Sequence, residues 1–284
     1  MNGARRLQPS EGGGFQPGVR IGAVGYLNAR PLVYGLDRQP RFHLRYDVPS
    51  ECARLLHAGA IDLGLIPSIE YLRGGPYAIV PDLAIASDGP VASVAIFTTR
   101  PIADVRSIAL DTSSRTSVAL VRVLCARLFK IDPVLESRGP DLEDMLSRCD
   151  AALIIGDKAL FQEPARGASS TRAIEKIDLG ESWRQLTGLP FVYAFWAGPP
   201  QALSPGDVAT LVKARDEGVE RPEALAAEYL EDAPRWQPLG AEHLRDNIKY
   251  YLGEREREGL ELFYRFAAEA GVVERTQPLR FFNR

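Results

Sequence analysis

RIGAVGYLNARPL, residues 20–32, is the stretch that decides the fold of this chain. The apolar run 21–24 predicts a short buried strand, Gly25 permits a tight exit from it, and Pro31 suits the first turn of a helix. This order delivers Asn28 to the start of that helix. An amide side chain there either caps the helix or faces a small-molecule site, and the stretch alone leaves both interpretations open.

Outward from this stretch, strands and helices alternate in two blocks. In the first block, strands are predicted at 21–24, 43–47 and 61–66, and helices at 31–36, 51–58 (with Ser50 as its N-cap) and 68–73. In the second block, strands are predicted at 107–110, 134–136 and 151–155, and helices at 116–129 and 141–148. Alternation of this kind predicts an α/β fold in which each block is a mainly parallel, helix-covered sheet.

Two apolar runs flank the second block, VASVAIFT at 91–98 and PFVYAFW at 190–196. We interpret them as the outgoing and return connections between two lobes. The predicted organisation is a disordered tail at 1–19, a first lobe at 20–97 and 192–284, and a second lobe at 98–191. Helical patterns at 207–217, 223–229, 242–251 and 255–270 predict C-terminal helices that pack on the first lobe. Two lobes joined by two connections enclose a cleft, which is a common ligand site.

Composition excludes several functional classes. With 34 basic and 37 acidic residues the net charge is −3, so nothing favours nucleic-acid binding. Cys52, Cys125 and Cys149 form no C-x-x-C pair and are odd in number, which favours buried thiols in a reducing compartment. The sequence contains neither a signal-peptide pattern nor an apolar run of membrane-spanning length. We therefore expect a cytoplasmic protein without membrane contact, and make no prediction of its oligomeric state.

The loop DTSSRTS, residues 111–117, follows a predicted strand and opens a long apolar helix. Hydroxyls and amide N–H groups at a helix N-terminus form an anion site, and a carboxylate would fit it. One of these hydroxyls can instead cap the helix, but several exceed what a cap requires. The candidate ligand-binding residues of the loop are Thr112, Ser113, Ser114, Arg115 and Thr116. A nucleotide is disfavoured because no phosphate-binding glycine motif occurs.

Three weaker candidates lie elsewhere. Ser68 follows the strand DLGLI, Ser93 interrupts an apolar run, and Asp157 follows the strand ALII; capping or local hydrogen bonding would explain each of them equally well. The three histidines, His43, His57 and His243, have neither metal-ligand nor catalytic spacing and are interpreted as surface or packing residues. No zinc motif or nucleophile elbow supports hydrolytic chemistry, so no metal site is predicted.

The motifs GYLNARPL, DLGLIPSIEYL, VASVAIF, DTSSRTSVALVRVL and LIIGDKAL, in this order, resemble the chorismate dehydratase family of the futalosine route to menaquinone. The resemblance covers most of residues 20–196 and is specific as a set. It implies the two-lobed periplasmic-binding-protein-like type II fold with the ligand cleft between the lobes. A sibling family that makes dihydroxynaphthoate carries a loop similar to C-P-N-D-T-F, whereas this chain has Y-L-N-A-R-P-L.

The resemblance implies the conversion of chorismate to 3-[(1-carboxyvinyl)oxy]benzoate without a metal or organic cofactor. Asn28 matches the functional asparagine of the family, and we expect its amide to orient the departing hydroxyl or the enolpyruvyl group. The loop at 112–116 is expected to bind one carboxylate, with Ser68 and Ser93 assisting at the other. The substrate's own enolpyruvyl carboxylate is the expected base, with Asp157 as the rival. Arg30 either contacts a substrate carboxylate or points into solvent.

A non-catalytic solute-binding protein for a small carboxylate is the main alternative, because it would use the same cleft and the same helix N-terminus. Its expected export signal is missing from the sequence. A ligand-sensing lobe is a third interpretation, but no helix-turn-helix pattern precedes residue 21. Turnover of chorismate separates the enzyme from both alternatives.

Overall fold

The computed structural model describes residues 18–162 and 174–283. Residues 1–17 of the predicted tail lie outside this range, and Val19 already begins the first strand. The first sheet contains β1 (Val19–Val24), β2 (Phe42–Asp47), β3 (Leu63–Pro67), β4 (Ala78–Ile79), β5 (Ile85–Ser87) and β11 (Phe191–Gly198). The second sheet contains β6 (Val94–Thr98), β7 (Ser107–Asp111), β8 (Val134–Arg138), β9 (Ala151–Ile155) and β10 (Glu175–Asp178).

Both sheets are mixed, which corrects the prediction of mainly parallel sheets. In the first sheet β1 is parallel to β2 and β3, but β11 is antiparallel to β3, β4 and β5. In the second sheet β7 is parallel to β8 and β9, but β6 is antiparallel to β9 and β10. Parallel neighbours require a crossover helix, whereas β6, β10 and β11 adjoin the connections between the sheets and run in the opposite direction.

The connections between the sheets also differ from the prediction. The run 91–98 contains β6, a complete strand of the second sheet, and the run 190–196 contributes to β11 of the first sheet. The chain instead crosses between β5 and β6 and returns through the segment between β10 and β11. The β-rich runs that form β6 and β11 pair with neighbouring strands on both sides, whereas a segment that only connects the lobes would not. The lobe boundaries at 97/98 and 191/192 stay predictions. Because β6 belongs to the second sheet, the structure favours a first crossing before Val94.

Ten helices lie among the described residues and cover the two sheets. They are α1 (Arg30–Val33), α2 (Pro49–His57), α3 (Arg115–Leu124), α4 (Leu142–Arg148), α5 (Asp157–Leu160), α6 (Leu179–Thr187), α7 (Pro205–Val219), α8 (Pro222–Tyr229), α9 (Gln237–Glu242) and α10 (Glu254–Glu269). The predicted helix at 68–73 is a 3₁₀ turn, and the one at 242–251 is a π turn that follows α9 and ends at Asn247. In this part of the chain no helix is long and apolar enough to cross a membrane.

Several strands are buried along their whole length. All residues of β3, β6, β9 and β11 are buried, and one continuous hydrophobic core extends through both lobes. The short α1, which follows Asn28, is fixed by α7 on its outer side. There Gly218 lies so close that a Cβ atom on it would be 2.3 Å from the carbonyl oxygen of Pro31. Close packing of this kind holds the turn that bears Asn28.

Candidate active site

A narrow cavity with an interior volume of about 40 Å³ lies between the two lobes. Both lobes supply its walls, which are formed by the ends of strands and by the first turn of α3. The lining residues are Val24, Tyr26, Asn28, Pro49, Pro67, Ile85, Val91, Ser93, Val94, Ser114, Ser117, Ile155, Gly156, Tyr193 and Ala194. Three of the residues predicted from the sequence, Asn28, Ser93 and Ser114, are therefore brought together here.

Asn28 lies in a 3₁₀ turn, Leu27–Ala29, directly after β1. Its side chain caps no helix, since Ala29 occupies the N-cap position of α1 without a side-chain hydrogen bond. The Asn28 Oδ1 atom is buried and has no hydrogen-bond partner within the described residues. The Tyr250 hydroxyl donates to its carbonyl oxygen at 3.0 Å. The capping interpretation is thus wrong, and a buried acceptor without a partner beside a cavity favours a ligand contact.

Ser93 faces the cavity from the outgoing connection. Its Oγ is likewise buried without a hydrogen-bond partner in the described part of the chain. The preceding residue, Ala92, has a positive φ of 61°, a conformation that costs a residue with a side chain. The Asp178 carboxylate accepts from the Ala92 N–H at 2.7 Å, and Lys176 Nζ donates to the Ala92 carbonyl at 2.7 Å. These two charged groups hold the strained backbone that aims Ser93 at the cavity.

The first turn of α3 presents two hydroxyls to the cavity. Ser114 is the N-cap of α3 and accepts from the Ser117 N–H at 3.4 Å, so the capping interpretation is confirmed for this residue. The Ser117 hydroxyl donates to Ser114 Oγ at 3.1 Å. Ser117 was missed in the sequence analysis, although its spacing of three residues from Ser114 places both on one face of the helix.

The other predicted residues of this loop do not line the cavity. Thr112 is exposed, and the Ser113 Oγ accepts from the Tyr26 hydroxyl at 3.4 Å. Arg115 Nη1 donates to the Glu70 carboxylate at 2.7 Å, and Thr116 Oγ1 accepts from the Ile69 N–H at 3.1 Å.

Ser68 is also buried away from the cavity, where its Oγ donates to the Val192 carbonyl at 2.8 Å. Ser113, Arg115 and Thr116 therefore tie the start of α3 to the first lobe. The Ser113 carbonyl also accepts from the Ser50 N–H at 2.9 Å. Ser50 is not the N-cap of α2, because Pro49 begins that helix after Val48. Contacts with substrate therefore stay predictions for the residues outside the lining, which are Ser68, Thr112, Ser113, Arg115 and Thr116.

Asp157 lies in the first turn of α5, beside the cavity rather than in its lining. Its Oδ1 accepts from the Leu27 N–H at 3.2 Å, and its Oδ2 accepts from the Tyr229 hydroxyl at 2.5 Å. Burial raises the pKa of the Asp157 carboxyl, although these hydrogen bonds oppose the rise. Gly156 before it has φ +66°, and a Cβ there would lie 3.0 Å from the ring of Tyr26. Only glycine combines this conformation with this contact.

The lining holds no charged side chain among the described residues. Arg30 stacks its guanidinium over the rings of Tyr229 and Tyr46, at 4.7 and 5.1 Å from the ring centres. Two tyrosines do line the cavity, Tyr26 and Tyr193, and burial raises the pKa of both hydroxyls. Both hydroxyls therefore stay protonated at neutral pH and can donate hydrogen bonds. Tyr193 lies within a fully buried strand, and nothing in its local sequence distinguishes it from a core residue.

None of the three histidines lines the cavity. His43 is exposed on β2, and His57 bonds to Glu70 and Tyr77 at 3.1 and 2.9 Å. His243 is buried in the π turn after α9, where burial lowers its pKa to about 4. Its Nδ1 lies 3.4 Å from Asn247 Oδ1.

Comparison with known proteins places these features in a family. The menaquinone biosynthesis family model matches residues 19–269. The chain is 36% identical over 261 residues to a chorismate dehydratase of Thermus thermophilus, which covers 86% of this chain and 93% of that protein. It is 31% identical over 184 residues to a chorismate dehydratase of Campylobacter jejuni, which covers 61% of this chain and 65% of that protein.

Similar solved structures include a protein of Archaeoglobus fulgidus, with a TM-score of 0.70, 15% identity and coverage of 90% of this chain and 98% of that one. They also include the periplasmic aliphatic sulphonate binding protein of Escherichia coli, with a TM-score of 0.62, 18% identity and coverage of 91% and 94%. These two likenesses show the periplasmic-binding-protein-like fold alone. The family match and the curated relatives confirm the resemblance found in the sequence: the chain belongs to the menaquinone biosynthesis family, among the relatives of the chorismate dehydratases.

Proposed function

We propose that this protein removes water from chorismate to give 3-[(1-carboxyvinyl)oxy]benzoate in menaquinone biosynthesis. The observation that carries the proposal is the 36% identity to a chorismate dehydratase over 93% of that enzyme's length. The interlobe cavity supports it, because Asn28 Oδ1 and Ser93 Oγ both lack partners within the described residues and both residues line this cavity. Polar groups of a bound substrate would supply the missing hydrogen bonds.

The reaction breaks two bonds on neighbouring ring carbons of chorismate. The C–H bond beside the enol ether gives its proton to a base and its electron pair to the ring. The adjacent C–O bond then breaks, and the leaving hydroxide takes up the proton that the base removed and becomes water. The ring becomes aromatic, which supplies the driving force. Before hydroxide leaves, negative charge spreads through the diene toward the ring carboxylate, so donors at that carboxylate stabilise the transition state.

The first turn of α3 supplies such donors. Ser114 and Ser117 line the cavity; because Ser117 donates its hydrogen to Ser114 Oγ, Ser114 is the hydroxyl donor, and the helix dipole adds partial positive charge at the same point. We assign the ring carboxylate to this end of the cavity. The Tyr26 hydroxyl lies beside it and stays protonated, with its hydrogen directed at Ser113 Oγ at 3.4 Å.

Asn28 is assigned to the departing hydroxyl. Its Oδ1 is a buried acceptor without a partner in the described residues, and the substrate O–H is a donor. When the C–O bond breaks, the oxygen of the leaving group gains negative charge. The amide N–H groups of Asn28 can then donate to that oxygen. An amide does not take up protons near neutral pH, so Asn28 orients the leaving group and is not the base.

The absence of charged residues from the described lining bears on the identity of the base. A carboxylate moved from water into a site without a cation has a raised pKa and is a stronger base. The enolpyruvyl carboxylate of chorismate would enter such a site when the substrate folds over its own ring. We therefore propose substrate-assisted elimination, in which the cavity contributes by holding this conformation.

Asp157 is the rival base, and its surroundings oppose that role. Both of its carboxylate oxygens accept hydrogen bonds, from the Leu27 N–H and from the Tyr229 hydroxyl. It does not belong to the cavity lining. The two hydrogen bonds also stabilise the charged form of Asp157 and so weaken it as a base.

Incubation of the purified protein with chorismate, followed by mass spectrometry, tests the proposal. We expect a product lighter by one water from the wild type and from Asn283→Ala, a matched change at an exposed asparagine. Asn28→Ala should form little product while still binding chorismate in calorimetry. Binding without turnover by the wild type would instead indicate a carboxylate-binding protein. Neither binding nor turnover would overturn chorismate as the substrate.

A cytoplasmic location is part of the same proposal. Cys52, Cys125 and Cys149 are free and buried, as expected for a protein of a reducing compartment.

A further inference from the structure

We infer that Asp157 and Tyr229 are positioning residues that hold the backbone bearing Tyr26 and Asn28 in its catalytic geometry. This inference rests on the proposed function, because it assigns to Asn28 a part in the dehydration. Neither residue touches the cavity, so the pair acts through the segment that it binds. The evidence is the set of hydrogen bonds that these two side chains make to one short stretch of main chain.

The two side chains bind the main chain on both sides of Tyr26. Asp157 Oδ1 accepts from the Leu27 N–H at 3.2 Å. The Tyr229 hydroxyl lies 3.0 Å from the Gly25 carbonyl oxygen and 2.5 Å from Asp157 Oδ2. Gly25 and Leu27 flank Tyr26, and Asn28 follows at once. A single carboxylate and a single hydroxyl therefore fix the orientation of the turn that supplies two of the cavity's polar side chains.

Asp157 and Tyr229 are both distant in sequence from the turn that they bind. Asp157 is 130 residues from Leu27 and follows β9 of the second sheet, whereas Tyr229 is 204 residues from Gly25 and ends α8. Separation of the two sheets to admit a substrate would pull Asp157 away from Leu27 and Tyr229. The bonds are therefore specific to the arrangement of the two sheets in this structure.

The groups around the pair keep it in place. Arg30 stacks on the Tyr229 ring at 4.7 Å, and its positive charge also acts on the Asp157 carboxylate. Tyr26 is the other titratable group that acts on the Tyr229 hydroxyl. The positive φ of Gly156, +66°, lets the second lobe approach the Tyr26 ring closely enough for Asp157 to reach the Leu27 N–H.

The single hydrogen of the Tyr229 hydroxyl determines which substitution preserves the pair. The Tyr229 hydroxyl has one hydrogen for two acceptors, the Gly25 carbonyl and Asp157 Oδ2. In Asp157→Asn, the amide oxygen can accept from Leu27 and the amide nitrogen can donate to the Tyr229 oxygen, which frees the tyrosine hydrogen for Gly25. Asparagine thus preserves the arrangement, whereas Asp157→Ala and Tyr229→Phe remove it.

Steady-state kinetics with chorismate give the first test. We expect Tyr229→Phe and Asp157→Ala to lower kcat about tenfold, the loss typical of one hydrogen bond to a charged group, with KM changed less than about threefold. Asp157→Asn should stay within about threefold of the wild-type kcat. Tyr251→Phe, at a tyrosine that is 51% exposed, is the matched control and should leave the kinetics unchanged. Unaltered kcat in both Tyr229→Phe and Asp157→Ala would overturn the inference.

The second test separates positioning from a general structural role. In an Asn28→Ala background, Tyr229→Phe should lower the residual rate by clearly less than in the wild type, because one of the two side chains that the pair positions is gone. An equal loss in both backgrounds would show that Tyr229 only maintains the fold, and would refute the inference. A wild-type protein that turns over no chorismate would refute the proposed function instead, so the two failures are distinguishable.

Discussion

Replacement of Glu70 by glutamine should remove a large part of the stability of this protein at neutral pH. The Glu70 side chain is 1% exposed and accepts hydrogen bonds from Arg115 Nη1 at 2.7 Å, Arg73 Nη1 at 2.9 Å and His57 Nε2 at 3.1 Å. Burial by itself would raise the pKa of this carboxyl. The hydrogen bonds from His57 and Arg73 and the charge of Arg115 outweigh burial and lower the pKa from 4.5 to about 2.

The size of the effect follows from that shift. A carboxyl whose pKa falls on folding stabilises the protein above its unfolded pKa, and this contribution is lost as the pH falls toward the folded pKa. For Glu70 the contribution is about 3 kcal/mol at pH 7 and about 1 kcal/mol at pH 3. Glu70→Gln should therefore lower the free energy of unfolding by about 3 kcal/mol at pH 7 and by much less at pH 3.

Urea unfolding followed by circular dichroism at the two pH values measures this difference. Glu258→Gln, at an exposed position of α10, is the matched control and should change the free energy of unfolding by less than about 0.5 kcal/mol. A loss in Glu70→Gln that is the same at pH 7 and pH 3 would refute the reasoning, because it would show that packing, and not the charge of Glu70, is what the substitution disturbs.

Three further predictions concern the cavity. Asn28→Ala should lower kcat at least about 100-fold while the dissociation constant of chorismate, from calorimetry, changes less than about fivefold; retained kcat would remove Asn28 from the mechanism. Ser114→Ala combined with Ser117→Ala should raise KM about tenfold through loss of carboxylate donors, whereas Ser147→Ala, at an exposed serine, should not; an unchanged KM in the double variant would reduce these hydroxyls to capping. Gly156→Ala should lower the free energy of unfolding by about 1–3 kcal/mol, because alanine is strained at a φ of +66°. An unchanged denaturant concentration at the midpoint of unfolding would show that alanine is not strained there.

The longer apolar strands and the position of Asn28 could be predicted because local sequence determines them, whereas β4, β5 and β10 were not predicted. The apolar run before Gly25 has the length of a buried strand, and the turn residues that follow leave few conformations for the segment. The run that contains β6 was wrongly interpreted as a connection, since an apolar β-rich segment has the same composition in either setting. Only its pairing with β9 and β10 distinguishes a strand from a crossing.

The side chains of the loop before α3 show where such prediction ends. The sequence identifies a helix N-terminus rich in hydroxyls, and Ser114 does face the cavity. Arg115 and Thr116, one and two residues later, turn toward Glu70 and Ile69 of the first lobe instead. The choice between the two directions depends on how the lobes pack. Tyr229 is a stronger case, because no local pattern relates it to a turn 204 residues away.

The same packing explains how a cavity for a doubly charged substrate has no cation in its described lining. Two arginines lie near cavity residues in the sequence, but neither lines the cavity: Arg30 stacks on Tyr229 and Tyr46, with its Nε buried and without a partner in the described residues, and Arg115 pairs with Glu70. A guanidinium bound to the enolpyruvyl carboxylate would lower its pKa and weaken it as a base. A protein that only binds a carboxylate would gain affinity from such an arginine. Diversion of both guanidinium groups therefore favours catalysis by the substrate's own carboxylate over simple binding.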